Sequence, residues 1–320
     1  MSDTDLSRAY ALDGRGGGEE GRYGELELAG RAAWLRFDFQ YPDLERILEE
    51  QLGLDDAACA SLLAEDTRPR SQKIGDAALV ILRGVNLNPD AEPEDMISIR
   101  IWVDAEKLVS VQLRRLHAAR SVADDLAAGR GPATPGDLLV DLAEALTERM
   151  QPTVDAMDER LDALERGAAT TDVDRCREEA ADLRRDSVAL RRFIGPQRDA
   201  LGSLVAQRYT WQTEEQDRLL QDVVDRVSRI VEDLDEIQTR AAIFQDALAV
   251  AVAERMNRAM FVLSIVTGVF LPISFITGLL GVNVGGMPGA DDPFAFWIVV
   301  AILAALAASS LWLFKRFRIF

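Results

Sequence analysis

Cysteine and histidine are nearly absent from this 320-residue chain: Cys59, Cys176 and His117 are its only ones. The two cysteines lie in different segments, so a disulfide is not expected, in keeping with a reducing compartment. One histidine and two distant cysteines cannot form a Cys/His zinc site within one copy. They also leave little equipment for acid–base or nucleophilic catalysis. The glycine run Gly16–Gly18 precedes no strand–helix unit and is no phosphate loop. The chain therefore reads as a non-enzyme without a cofactor. Positive charge is scarce too: 36 Lys and Arg face 54 Asp and Glu, a net charge of -18. Phosphate-backbone binding needs clustered Lys and Arg, so nucleic acid is excluded as a general partner. An acidic body suits a protein that attracts cations, and it equally serves solubility. The first 24 residues lack the apolar core of a signal peptide.

Charge itself is missing from two stretches near the C-terminus, residues 259–280 and 294–314. Each is long enough to cross a bilayer, which takes about 20 residues. The loop between them, 281–293, has no Lys or Arg, whereas Arg255 and Arg258 precede the first stretch and Lys315, Arg316 and Arg318 follow the second. The positive-inside rule then predicts a multi-pass protein of the inner or plasma membrane with both termini cytoplasmic.

Upstream, residues 1–24 are rich in Gly, Ser, Asp and Glu and read as disordered. Residues 25–130 read as a cytoplasmic α/β domain. Alternation predicts a strand from Ala33, and runs of Ile, Val and Leu predict strands over 77–83, 96–103 and 107–113. Short helices are expected over 41–52 and 57–65. The Gly/Pro-rich segment 129–136 marks a linker. Residues 131–258 read as helical, with helices over 137–166 (interrupted by Pro152), 172–193 and 197–207. No Gly or Pro occurs between Ser203 and Thr267. A seam from Leu220 through Val227, Leu234 and Ala241 to Leu248 alternates steps of three and four, which predicts a long packed stalk helix over about 211–258. It enters the membrane without a break, so from Glu214 to Leu280 it would be on the order of 100 Å long. Such a seam needs partners. A scaffold coiled coil or several copies around an axis would supply them.

On a helical wheel, Asn257, Met260, Ser264, Thr267, Leu271, Ser274 and Gly278 share one face. The opposite face carries Phe261, Val262, Ile265, Phe275 and Ile276. Small residues permit close helix packing, and the same face could line a pore. A dication needs a hydrated path, because burying even a single charge costs tens of kcal/mol. Neither span holds Asp, Glu, His or Lys, which disfavours a fixed metal cage or proton relay in the membrane. Gly281 can end the first span in a left-handed conformation. Asn283 then stands at the outer mouth with a carbonyl oxygen for a hydrated cation, held transiently, and Asp291 and Asp292 add negative charge.

The run Phe270-Leu-Pro-Ile-Ser-Phe-Ile-Thr-Gly-Leu-Leu-Gly-Val-Asn-Val-Gly-Gly-Met-Pro-Gly resembles the signature of the CorA superfamily of divalent-cation transporters, and more closely its ZntB zinc-transporter branch. The magnesium branch carries Gly-Met-Asn where this chain has Gly281-Val282-Asn283. The runs from Leu190 to Leu201 and from Trp34 to Phe39 are similar to the ZntB branch as well, and the basic tail 315–320 fits the family's cytoplasmic end. The resemblance implies a CorA-like pentameric funnel: an α+β cytoplasmic domain, a long helical stalk and two C-terminal transmembrane helices. It also implies pore positions at Asn257, Met260, Thr267, Leu271, Ser274 and Asn283, with Met260 and Leu271 as constrictions. Zn2+ uptake is the expected activity, with Mg2+, Co2+ or Ni2+ transport as the alternative. A membrane-tethered scaffold is the alternative from a different class.

Overall fold

The computed structural model describes residues 6–167, 172–282 and 293–316, and the chain divides into two compact units, 1–245 and 246–320. The first unit is built on a seven-stranded sheet of order β2-β1-β3-β7-β6-β5-β4. Its strands are β1 (Ser7–Leu12), β2 (Gly18–Gly21), β3 (Ala33–Asp38), β4 (Arg70–Ile74), β5 (Ala77–Gly84), β6 (Ile97–Val103) and β7 (Lys107–Gln112). Among the described strands only β3 and β7 pair in parallel. β5 and β6 are buried along almost their whole length, which accounts for their uninterrupted apolar runs.

Two faces of the sheet are covered. On one, Leu35 and Phe37 of β3 pack with Leu44, Leu48 and Leu62. These come from α1 (Leu44–Arg46), the π-helical turn Ile47–Gln51 that continues it, and α2 (Asp56–Leu62). On the other, Trp34 donates its indole N–H to Ser110 Oγ at 2.9 Å and stacks on Tyr10 with ring centroids 5.0 Å apart. Helices α3 (His117–Ala127) and α4 (Pro135–Glu148) belong to this side, where a Cβ on Gly84 of β5 would meet Leu146 of α4 at 2.7 Å.

The N-terminal segment departs from expectation. Far from being disordered, residues 7–12 and 18–21 are strands, and β1 is bonded on both sides, by β2 and β3. The glycine run is their turn. Asp13 Oδ1 accepts the amides of Arg15 at 2.7 Å and Gly17 at 2.9 Å, and these bonds hold its carboxyl below the usual range. Gly16 turns with φ 98°, and its carbonyl accepts the Gly131 amide at 2.7 Å.

The helical half also corrects two boundaries. The predicted helix 137–166 is two helices, α4 and α5 (Gln151–Gly167), parted before Pro152, which sits in the first turn of α5 where no intrahelical donor is lost. Pro196, by contrast, does not split α6 (Val173–Gln207). Ile194 and Gln197 beside it and Leu201 and Leu204 beyond it are all fully buried, so packing on both sides outweighs the missing bond.

α7 (Glu214–Leu280) is one helix of 67 residues. Thr213 and Gln216 start it with a reciprocal capping box. Gln216 Nε2 also reaches Asp137 Oδ1 at 2.6 Å, joining it to the Thr134–Asp137 box of α4. The seam residues Leu220, Val223, Val227, Ile230, Leu234, Ile237 and Ala241 are all at most 1 % exposed. Their partners lie within the chain. Arg226 pairs with Glu144 of α4 at 2.6 Å and Arg191 of α6 with Asp235 at 2.9 Å, while Arg240 gathers Asp158, Asp162 and Glu165 of α5 at 2.5–2.7 Å. The seam therefore needs no other copy to cover it.

Candidate functional site

The second unit contains the end of α7 and α8 (Ala295–Arg316). Both are apolar, uncharged in their middle portions, and studded with exposed large side chains: Leu263, Phe270, Phe275, Phe296 and Trp297 are each more than 60 % exposed. Water does not tolerate an apolar surface of this extent, whereas a bilayer does.

Exposure along α7 is uneven and periodic. Phe261, Ile265, Gly268, Val269, Pro272 and Ile276 are partly covered, at helical spacing. Val299, Leu303, Leu306, Ala307 and Ser310 form the matching partly covered stripe on α8. Among the described elements of this unit, each stripe has only the other helix to cover it. Roughly 120° round α7, at 100° per residue, lies the face that periodicity singled out. There Asn257, Met260, Ser264, Thr267, Leu271, Ser274 and Gly278 are all exposed, Met260 at 54 % and Leu271 at 63 %. Among the described residues nothing packs on this face, although most of its residues are small or polar.

Its hydroxyls have a definite polarity. Ser264 Oγ donates to Met260 O at 2.8 Å and Thr267 Oγ1 donates to Leu263 O at 2.8 Å. With the proton committed to the backbone, each oxygen offers only lone pairs outward, which suits a hydrated cation rather than an anion. Thr277, which the periodicity argument passed over, behaves alike toward Ile273 O at 3.0 Å. Pro272 withholds the amide that would bond the carbonyl of residue 268, and the helix continues through it.

Two details differ from the sequence reading. Phe275, assigned to the far face, is exposed at 68 % and follows Leu271 by four residues, so it shares that residue's side. Gly281 does not end α7 in the left-handed region. Its amide bonds Thr277 O at 3.0 Å and Gly278 O at 3.2 Å, extending the helical pattern by one residue. Gly281 and Val282 are exposed just past the helix. Asn283, Asp291, Asp292 and Arg318 lie outside the described residues, as does the side chain of Lys315, while Arg316 ends α8 and is exposed. Among the described residues no three His, Cys, Asp or Glu side chains converge as a metal cage.

Comparison with known proteins places these features in context. The profile of the CorA-like Mg2+ transporter protein family matches residues 30–316. The chain is 40 % identical to the divalent cation transporter CmaX of Pseudomonas aeruginosa over 98 % of this chain and 96 % of that protein. It is 34 % identical to the zinc transport protein ZntB of Yersinia pseudotuberculosis, over 98 % of this chain and 95 % of that one. The solved structure of full-length CmaX superposes with a TM-score of 0.87 at 39 % identity, covering 99 % of this chain and 100 % of its own.

Proposed function

The chain belongs to the CorA-like Mg2+ transporter protein family and carries divalent cations, and from that premise we propose that it takes up Zn2+ through a pore formed by five copies around the exposed face of α7. In this reading the described α7 span and α8 both cross the inner membrane, with the termini in the cytoplasm and the 281–293 loop outside. The observation that carries the proposal is the uncovered face from Asn257 to Gly278, polar where lipid would favour apolar side chains. One hairpin cannot enclose water. Copies related by a closed ring can, each turning this face inward and its Phe- and Leu-bearing flanks to lipid.

Zinc is preferred because the mouth reads Gly281-Val282-Asn283 and because ZntB relatives align over nearly the whole chain. Magnesium, cobalt and nickel are the second choice, favoured by the family profile itself. Uptake is preferred because an inward dication gains about 4.6 kcal/mol per 100 mV, twice the single-charge value. Five Asn283 side chains would orient the water shell of the entering ion, and Met260 and Leu271 would form the narrow apolar rings. The membrane-tethered scaffold has no support beyond the length of α7.

The test is flux into proteoliposomes under an imposed voltage, with Zn2+ and Mg2+ compared. Zn2+ should enter faster, and Asn283→Ala should lose most of the flux at an unchanged yield of assembled protein. Wild-type flux in Asn283→Ala would reduce the loop to a turn. Faster Mg2+ entry would overturn the zinc assignment alone.

A further inference from the structure

Arginine marks one end of each apolar helix in the second unit. Arg255 and Arg258 stand just before the uncharged stretch of α7, and Arg316 is the last residue of α8. With α7 and α8 both crossing the membrane, as proposed above, these ends share its cytoplasmic side. All three side chains are exposed, and among the described residues none has a hydrogen bond or an ion pair. Even Glu254, four residues before Arg258, does not pair with it. Glu254 is also the sole acidic residue between Asp246 and Asp291, and none follows Asp292, in a chain whose net charge is -18. Positive charge is gathered where the chain carries least negative charge.

The arginines do not belong to the pore face. At 100° per residue, Arg255 and Arg258 lie about 150° round α7 from the side of Asn257, Thr267 and Gly278. Arg258 is instead the foot of a ridge. Val262, Val266 and Phe270 follow it in steps of four, exposed at 54 %, 46 % and 62 %. Arg255, seven residues before Val262, stands at the same foot. On α8, Trp312 is 61 % exposed and precedes Arg316 by four residues. Tryptophan collects at the level of lipid headgroups, so it sets the depth of Arg316 by an argument independent of charge. Each helix thus carries a guanidinium group at headgroup depth with exposed apolar side chains directly above it. A phospholipid has the same order, phosphate and then hydrocarbon.

We propose that Arg255, Arg258 and Arg316 bind an anionic phospholipid of the cytoplasmic leaflet, its phosphate on the guanidinium groups and its acyl chains along Val262, Val266 and Phe270. Forked guanidinium donors match a phosphodiester. A zwitterionic headgroup brings its own ammonium, which competes for that phosphate, so a headgroup of net negative charge is selected. Each basic residue at such a surface contributes about fivefold to binding. The proposal rests on the membrane crossing of α7 and α8 but not on the zinc reading, because no ion flux is measured.

Native mass spectrometry of the full chain, delipidated in detergent, tests it with phosphatidylglycerol and phosphatidylcholine of identical acyl chains. Phosphatidylglycerol should bind at least about tenfold more tightly. Arg255→Gln combined with Arg258→Gln should weaken phosphatidylglycerol by about tenfold or more and bring the two lipids within about threefold of each other. Arg316→Gln alone should weaken it about fivefold. Arg255→Lys combined with Arg258→Lys keeps the charge and should keep most of the preference, and Arg218→Gln, near the start of α7, should change neither lipid. Equal affinity for the two lipids, or wild-type affinity in the double Gln variant, would overturn the site. Loss of the oligomer in that variant at unchanged lipid affinity would overturn it too, by assigning the arginines to contacts between copies. A chain that stays in solution without detergent would remove the membrane crossing itself, and the lipid site with it.

Discussion

On α4, burial pushes the carboxyl of Asp141 up to about 6, with further help from the carboxylates of Asp137, Glu144 and Asp125. An unfolded aspartate titrates near 3.8, so the folded chain holds this proton more tightly. Stability should therefore rise as pH falls from above 6 toward about 4, and the ionised group is a net cost at pH 7. Asp141→Asn should raise stability at pH 7 by on the order of 1–2 kcal/mol after solvent screening, and should flatten the melting temperature between about pH 4 and 6. A melting temperature at pH 7 that is unchanged or lower would contradict this origin of the shift. Such a residue is invisible in sequence, because its neighbours come partly from other elements: Asp125 lies on α3. The face of α7 was legible, because it depends only on spacing along one helix. Phe275 was misplaced by the same count, and the outward polarity of Ser264 and Thr267 needed the hydrogen bonds to be seen.

Among elements, legibility follows how much of each is fixed locally. β3, β5, β6 and β7 could be read from their β-branched and aromatic runs, and α7 from its unbroken seam. β1, β2 and β4 could not. β4 is mostly polar and exposed, an edge strand held by β5, and β1 has few large apolar residues and is held by pairing on both sides. α3 was missed because it is short, only four residues part it from β7, and its buried residues are mainly alanines. The seam of α7 was found, but its partner was not, since periodicity says that a stripe is buried without saying by what. Because α4, α5 and α6 contribute that partner, the seam should act on protomer folding. Leu234→Ala, at a position with no exposure, should destabilise the cytoplasmic unit by about 2–4 kcal/mol. Chemical denaturation followed by Trp211 fluorescence would measure it. Loss of assembly at unchanged protomer stability would instead return the seam to a contact between copies.

At the scale of the whole molecule, five chains of 35.3 kDa should give a particle of about 176 kDa after correction for detergent, read by light scattering. A monomer or dimer at micromolar concentration would remove the pore, since the face from Asn257 to Gly278 would have nothing to enclose. The self-covered seam has a consequence for how damage spreads through a population of such particles. If the copies close into the proposed ring, a subunit whose stalk is clamped by Arg226 and Arg240 covers its seam without help from its neighbours. Nothing in that folding step inspects the membrane face, so a copy altered only at the pore would pass as sound and take its place beside normal copies. In a cell making both kinds, most rings would contain at least one such copy, and the altered gene would silence the intact one rather than merely dilute it.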